Sequence, residues 1–166
     1  MQIPSAHVGA RPAVTTYRER LSPSLWAIVA AAVCAPMAAL VLTPIDTTLA
    51  LLVGVAVGVG VVAAMVFASP VVEVRDGELR AGRAHIDLEW LANPRALTAD
   101  AARTARGAEL HPRSWHLIRG GIDGIVVVDV TDPDDPAPSW VLSSRTPDRL
   151  ASAVRRAAAT QRTPRR

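Results

Sequence analysis

Two long apolar runs without a single charge, separated by five residues, constrain this chain more than any other feature. Leu25 to Leu42 reads LWAIVAAAVCAPMAALVL, and Thr48 to Ala68 reads TLALLVGVAVGVGVVAAMVFA. A helix needs roughly 20 mainly apolar residues to cross the hydrocarbon core of a bilayer. The second run meets that requirement; the first is shorter and Ala-rich. It also contains Pro36, which removes a backbone donor and predicts a kink. Thr43 to Thr47 is too short for anything but a turn between antiparallel helices. The expectation is a two-helix transmembrane hairpin over residues 25–69.

Two processing readings compete with an anchor. A cleaved signal peptide fits poorly, because the segment before Leu25 is long and no polar cleavage region follows the first run. A lipoprotein signal at Cys34 fails because Val33 stands where a small residue is required. Cys34 is the sole cysteine, so no intrachain disulfide can form, and it reads as a small buried hydrophobe.

Charge distribution orients the hairpin. All 18 basic residues are Arg, and the formal net charge is +3. Arg11, Arg18 and Arg20 precede the first run, Arg75, Arg80 and Arg83 follow the second, and the turn carries only Asp46. The positive-inside rule then places both termini in the cytoplasm of a multi-pass plasma-membrane protein, with Trp26 at the cytoplasmic interface. Gly54 and Gly58 form a GxxxG spacing, and Ala31 and Ala35 belong to a four-residue Ala repeat in the first run. Small residues at that spacing let helix backbones approach closely. The simplest use is packing within the hairpin; homodimerisation through the same helices is the second. Neither run holds an ionisable side chain, which argues against an ion or proton pathway.

From Pro70 onward the pattern changes to short strands. Val71–Arg75 alternates and meets Asp76-Gly77, a hairpin signal, and Glu78–Gly82 resumes. Ala84–Trp90 alternates with Ile86, Leu88 and Trp90 on one face, and Asn93-Pro94 ends that run. Thr98–Arg106 predicts a short helix capped by Thr98. Ser114–Arg119, Ile125–Val130 and Trp140–Ser143 predict three more strands. Thr146-Pro147-Asp148 opens a last helix, with Leu150, Val154 and Ala158 on one face. The expected fold is therefore a membrane α-helical hairpin plus an α+β domain. That domain is a small antiparallel sheet or open barrel capped by a C-terminal helix, similar to pleckstrin-homology-like domains. The expected division is a cytoplasmic N-terminal segment (1–24), the hairpin (25–69), the PH-like domain (70–160) and a basic tail (161–166).

A family resemblance rests on the C-terminal half. His111-Pro112-Arg113, Leu117-Ile118-Arg119, Ile125–Val130, Asp132–Trp140 and Ser143-Ser144-Arg145-Thr146-Pro147 together resemble the actinobacterial DUF3093 family. The resemblance covers most of Tyr17 to Ala157, hairpin included. The family usually has Thr-Pro-Tyr-Trp and Ser-Thr-Arg around the last strand, where this chain has Ala-Pro-Ser-Trp and Ser-Ser-Arg. What it implies is a membrane protein of unassigned function, with no catalytic residues to carry over.

No motif in the chain specifies chemistry. Asp129, Asp132, Asp134 and Asp135 make an acidic turn without the Gly and terminal Glu of an EF-hand loop. His7, His85, His111 and His116 lack the converging partners of a zinc site. Ser143 and Ser144 have no nucleophile elbow around them. Gly120, Gly121 and Gly124 are unaccompanied by a Walker lysine, since the chain has no Lys. The expectation is no enzyme, no cofactor and no metal. Arg155, Arg156 and Arg162, with Arg165 and Arg166, form a basic C-terminus, and each such charge near an anionic leaflet contributes about 1 kcal/mol. Nucleic-acid binding is not expected, as no aromatic residues interleave with the arginines. The leading expectation is a membrane-anchored interaction module with an unidentified protein partner. The second is recognition of anionic lipids through Arg155, Arg156 and Arg162. The third is a membrane enzyme assembled from scattered residues such as Asp132, His116 and Arg145.

Overall fold

The computed structural model describes residues 15–162, apart from the side chain of Arg162. His7, Arg11, Arg165 and Arg166 lie outside the described residues.

The first element is a strand, β1 (Thr15–Arg20), placed before the apolar runs. Next come α1 (Leu25–Ala32), α2 (Cys34–Leu42) and α3 (Thr47–Phe67). Ser24 caps α1, its hydroxyl accepting from the Ala27 amide at 3.2 Å, and Asp46 caps α3 by accepting from the Leu49 amide at 2.8 Å. The helical run breaks at Val33, between α1 and α2. Pro36 is the cause: it has no N–H for the carbonyl of Ala32, and its ring crowds that carbonyl. The 21 residues of α3 make a rod about 30 Å long.

α1 and α2 pack antiparallel to α3 along a face of small residues, where Ala31, Ala50, Gly54 and Gly58 are buried. A Cβ built on Gly54 would lie 2.8 Å from the Ala35 carbonyl oxygen, and one on Gly58 would lie 2.7 Å from the Ala35 Cβ. Gly60, outside this face, has nothing within 4 Å. The outer surface of the hairpin is apolar and open, with Trp26, Leu40, Val41, Leu52 and Phe67 among its exposed side chains. Among the described residues, Trp90 is the one large exposed hydrophobe outside it.

The remaining strands form two four-stranded sheets. β2 (Val71–Arg75), β3 (Glu78–Ala81) and β4 (Ala84–Asp87) continue from β1 as an antiparallel meander in the order β1-β2-β3-β4. Asp76 and Gly77 both take positive φ at the β2–β3 turn, the geometry that two-residue hairpins require. A 3-10 turn at Leu88–Trp90 leads into β5 (Leu91–Leu97). After α4 (Ala99–Ala105) come β6 (Trp115–Leu117), β7 (Ile125–Val130) and β8 (Ser139–Ser143), giving the order β5-β7-β8-β6. The last helix is α5 (Pro147–Arg162).

Several expectations need correction; the Ala84–Trp90 run, for one, ends as a strand at Asp87 and gives way to the 3-10 turn. Asn93-Pro94 does not end a strand: it forms an irregularity inside β5, where the register with β7 shifts between Ala92 and Arg95 and Asn93 takes φ 49°. A bulge lets Pro sit in a sheet without breaking the ladder on either side. The second sheet is mixed, not antiparallel, because β6 runs parallel to β8. Two chain reversals, into and out of β7, bring β8 back to the direction of β6. The sheet-bearing body is also not confined to 70–160, since β1 belongs to its first sheet.

The inner faces of both sheets and the apolar stripe of α5 share one core. Val72, Val74, Leu79, Val126, Val128 and Leu142 meet Leu150 and Val154 there, and all eight are essentially inaccessible. On the outer side, Ala102 and Ala105 of α4 cover Ile125, Val127 and Val141. β7 is thus apolar on both faces, which explains its unbroken Ile-Val-Val-Val run.

Candidate functional site

The root of the hairpin is where the two parts of the molecule are joined. Arg20 pairs with Val71, and the Leu21 amide donates to the Pro70 carbonyl at 2.9 Å, so the chain enters and leaves the hairpin across one strand pair. Three arginines hold this junction. Arg20 donates from Nη2 to the Val66 carbonyl at 2.9 Å, at the C-terminal end of α3. The orphan carbonyls and negative dipole end of a helix attract a cation there. Arg119 reaches the Ala68 carbonyl at 3.4 Å from Nη2, while its Nε is buried without a partner among the described residues. Arg145 donates to the carbonyls of Arg20 at 3.2 Å and Ser22 at 2.7 Å.

Beside the junction, Glu19 ties β1 to the link between β8 and α5. Its Oε2 accepts from the Tyr17 hydroxyl and from Ser144 Oγ, both at 2.6 Å. Its Oε1 accepts from the Arg145 amide at 2.8 Å. With the Tyr17 proton committed to Glu19, the Thr146 hydroxyl at 2.9 Å donates to the phenol oxygen. The Thr146 amide in turn donates to Ser144 Oγ at 3.1 Å. Burial pushes the Tyr17 phenol above its ordinary 10.0; Glu19 adds to the rise, and Ser144 and Thr146 oppose it. The phenol therefore keeps its proton at neutral pH, and the cluster closes on itself as a clasp.

Next to this clasp lies an open groove of about 730 Å³ between β1 and α5. One wall is Thr16, Tyr17, Arg18 and Glu19; the other includes Arg149, Ser152 and Arg156.

The residues singled out from the sequence are distributed as follows. Gly54, Gly58, Ala31 and Ala35 meet inside the hairpin. Arg156 borders the groove, whereas Arg155 donates from Nη2 to the Pro94 carbonyl at 3.1 Å. Arg162 falls at the end of α5, and its side chain is outside the described residues. α5 starts beside Tyr17 and ends where Gln161 donates to the Gly77 carbonyl, at the tip of the β2–β3 hairpin. It therefore runs away from the hairpin root. Asp132, His116 and Arg145 do not hydrogen-bond one another: Asp132 accepts from the Asp134 amide, His116 sits against the Ser114 carbonyl, and Arg145 is at the junction. Asp135 accepts from the Ala137 amide, so the acidic turn caps its own backbone. Asp129 is met by Asn93 and Arg95 of the neighbouring strand. No group of three His, Cys, Asp or Glu side chains fit to hold a metal occurs among the described residues.

Sequence reasoning missed Tyr17 and Glu19, which it treated as part of a flank. Their strand is polar on both faces and pairs with β2, on the far side of the hairpin in sequence, so periodicity carries no signal for it. The one available signal was the start of the family resemblance at Tyr17, upstream of the hairpin.

No curated protein and no solved structure matches the chain. The model of the family described as "Protein of unknown function (DUF3093)" matches residues 16–154, from β1 into α5. That span covers most of the sequence, and the chain belongs to the DUF3093 family.

Proposed function

We propose that this protein is a bilayer-anchored interaction module, not an enzyme. In it a PH-like domain is held at the cytoplasmic face by a transmembrane hairpin and binds a protein partner. The observation that carries the reading is the junction: β1 and β2 pair directly across the base of two charge-free helical spans of 18 and 21 residues. An exposed apolar surface as extensive as that of the hairpin is costly in water and suits a lipid environment. Arg20, Arg119 and Arg145 sit at its base, where cationic side chains favour the interface. The PH-like reading draws support from two sheets closed by one C-terminal helix. The non-enzymatic reading draws support from a polar cluster whose hydrogen bonds are internally satisfied.

Topology is tested with single cysteines in a Cys34→Ser background. Asp46→Cys should react with an impermeant maleimide on intact cells, and Asp135→Cys only after permeabilisation. Labelling of both from outside would defeat the cytoplasmic assignment. The interaction reading is tested by purifying the full chain from mildly solubilised native membranes and identifying co-purifying proteins and lipids. A stoichiometric protein supports the module, whereas enrichment of one anionic lipid without protein would move lipid recognition to first place.

A further inference from the structure

The groove between β1 and α5 opens onto a strand edge. Thr16, Tyr17, Arg18 and Glu19 line it in unbroken succession. Successive strand residues point to opposite faces, so a groove bordered by all four looks onto the edge between those faces. β1 is an outer strand of its sheet. The Leu21 amide bonds inward to Pro70. Alternation along an antiparallel strand turns Glu19 inward as well, and Arg18 and Arg20 outward. The outward carbonyl of Arg20 is occupied by Arg145. The outward amide and carbonyl of Arg18 have no partner among the described residues.

The charge of the groove is as one-sided as its backbone. Arg149 and Arg156, on the facing helix, make no side-chain hydrogen bond or ion pair among the described residues. The Arg18 guanidinium comes no nearer than 3.9 Å to Glu73. With Arg145, four arginines border the groove against two carboxylates, Asp148 and Glu19; the three donors to Glu19 are neutral and leave its charge in place, so the lining keeps a net positive charge. Residues 1–14 and 163–166 contain no Asp or Glu, so neither segment complements this charge. A lipid headgroup would leave the open backbone edge unused, and the groove follows α5 away from the hairpin root.

We propose that this groove binds an acidic, extended segment of a partner protein. The segment pairs with β1 through the amide and carbonyl of Arg18 and sets carboxylates against Arg149 and Arg156. Strand addition of this kind draws affinity from main-chain hydrogen bonds and specificity from side-chain contacts. The four lining residues of β1 span about 13 Å, room for a ligand core of similar length. The inference rests on the interaction-module reading and names its site.

The test uses the full chain in nanodiscs of zwitterionic lipid and a fluorescent octapeptide of alternating Glu and Val, read by polarisation at low salt. The expected result is saturable binding that weakens with salt. Arg149→Glu with Arg156→Glu should weaken it by about tenfold or more, as reversal of two exposed ion pairs implies. Arg149→Lys with Arg156→Lys should retain most of it. The same peptide methylated at alternate backbone nitrogens should lose affinity, because it cannot donate to the strand edge. No binding to the wild-type chain, or equal binding of the methylated peptide, overturns the proposal. Displacement by phosphatidylserine vesicles but not by zwitterionic ones, combined with indifference to methylation, would also overturn it and make the groove a headgroup site. If the peptide fails while a protein partner still co-purifies with the wild-type chain, the groove is wrong and the module reading stands.

Discussion

A carboxylate that accepts three hydrogen bonds is a structural centre whatever else surrounds it. Glu19 joins Tyr17, Ser144 and the Arg145 amide, and so connects residues more than a hundred positions apart. Glu19→Ala leaves these donors short of an acceptor and should lower stability by roughly 1–3 kcal/mol, seen as a drop in the melting temperature of the detergent-solubilised protein. Tyr17 offers a cleaner probe because it is the only tyrosine in the chain. Its folded-state pKa is raised by burial first and by Glu19 second, so the folded protein holds this proton more tightly than the unfolded one. That contribution is fully present below about pH 10, the unfolded value, and is lost as pH rises through the folded value. Ultraviolet titration of the tyrosinate should therefore show a midpoint above that of free tyrosine, reverting to the ordinary value in denaturant. An unshifted midpoint in the native protein would remove the clasp. None of this is legible in the sequence, where Ser144 and Arg145 belong to no recognisable motif and Glu19 lies among the charges before the first apolar run. A hydrogen-bonded node between distant segments leaves no periodic trace.

At the level of elements the sequence was far more informative. Charge-free length marked both long helices within a residue or two, and Pro36 predicted an interruption that occurs at Val33, one helical turn upstream. The strands β2, β3, β7 and β8 and the helix α5 followed from alternation, β-branched content and capping residues. The misses share a cause. Asn93-Pro94 looked terminal because turn chemistry is local, whereas a bulge within β5 depends on the partner strand β7. β6 was expected to be longer, but its pairing with β8 covers only Trp115–Leu117. The glycines of α3 allow a graded test. Gly54→Ala and Gly58→Ala place a methyl against Ala35 and Ala39 and should each destabilise the hairpin by about 1–3 kcal/mol, the usual penalty for overpacking. Gly60→Ala meets open space and should be neutral or mildly stabilising. Thermal melts of the three variants in one detergent decide the matter. Equal behaviour at all three positions would show that the small-residue face is not where the helices touch.

For the whole molecule, the decisive feature is that β1 precedes the hairpin and β2 follows it. A division at residue 70, natural from composition, omits a strand from the first sheet. The fragment 70–166 should accordingly fold poorly, while a chain joining residues 15–21 to 70–162 through a short glycine linker should unfold cooperatively in denaturant, because Arg20 and Val71 already face each other. Cooperative unfolding of 70–166 alone, with the same midpoint, would show β1 to be dispensable. The arrangement also bears on how the chain is made. The ribosome releases β1 first, and this strand must wait for the whole hairpin before its neighbour exists. Were only one helix to enter a bilayer, β1 and β2 would emerge on opposite sides and the sheet could never close. On the bilayer-anchored reading proposed above, completion of the first sheet would thus be conditional on both helices having crossed, and a mis-threaded chain would be left with that sheet unfinished.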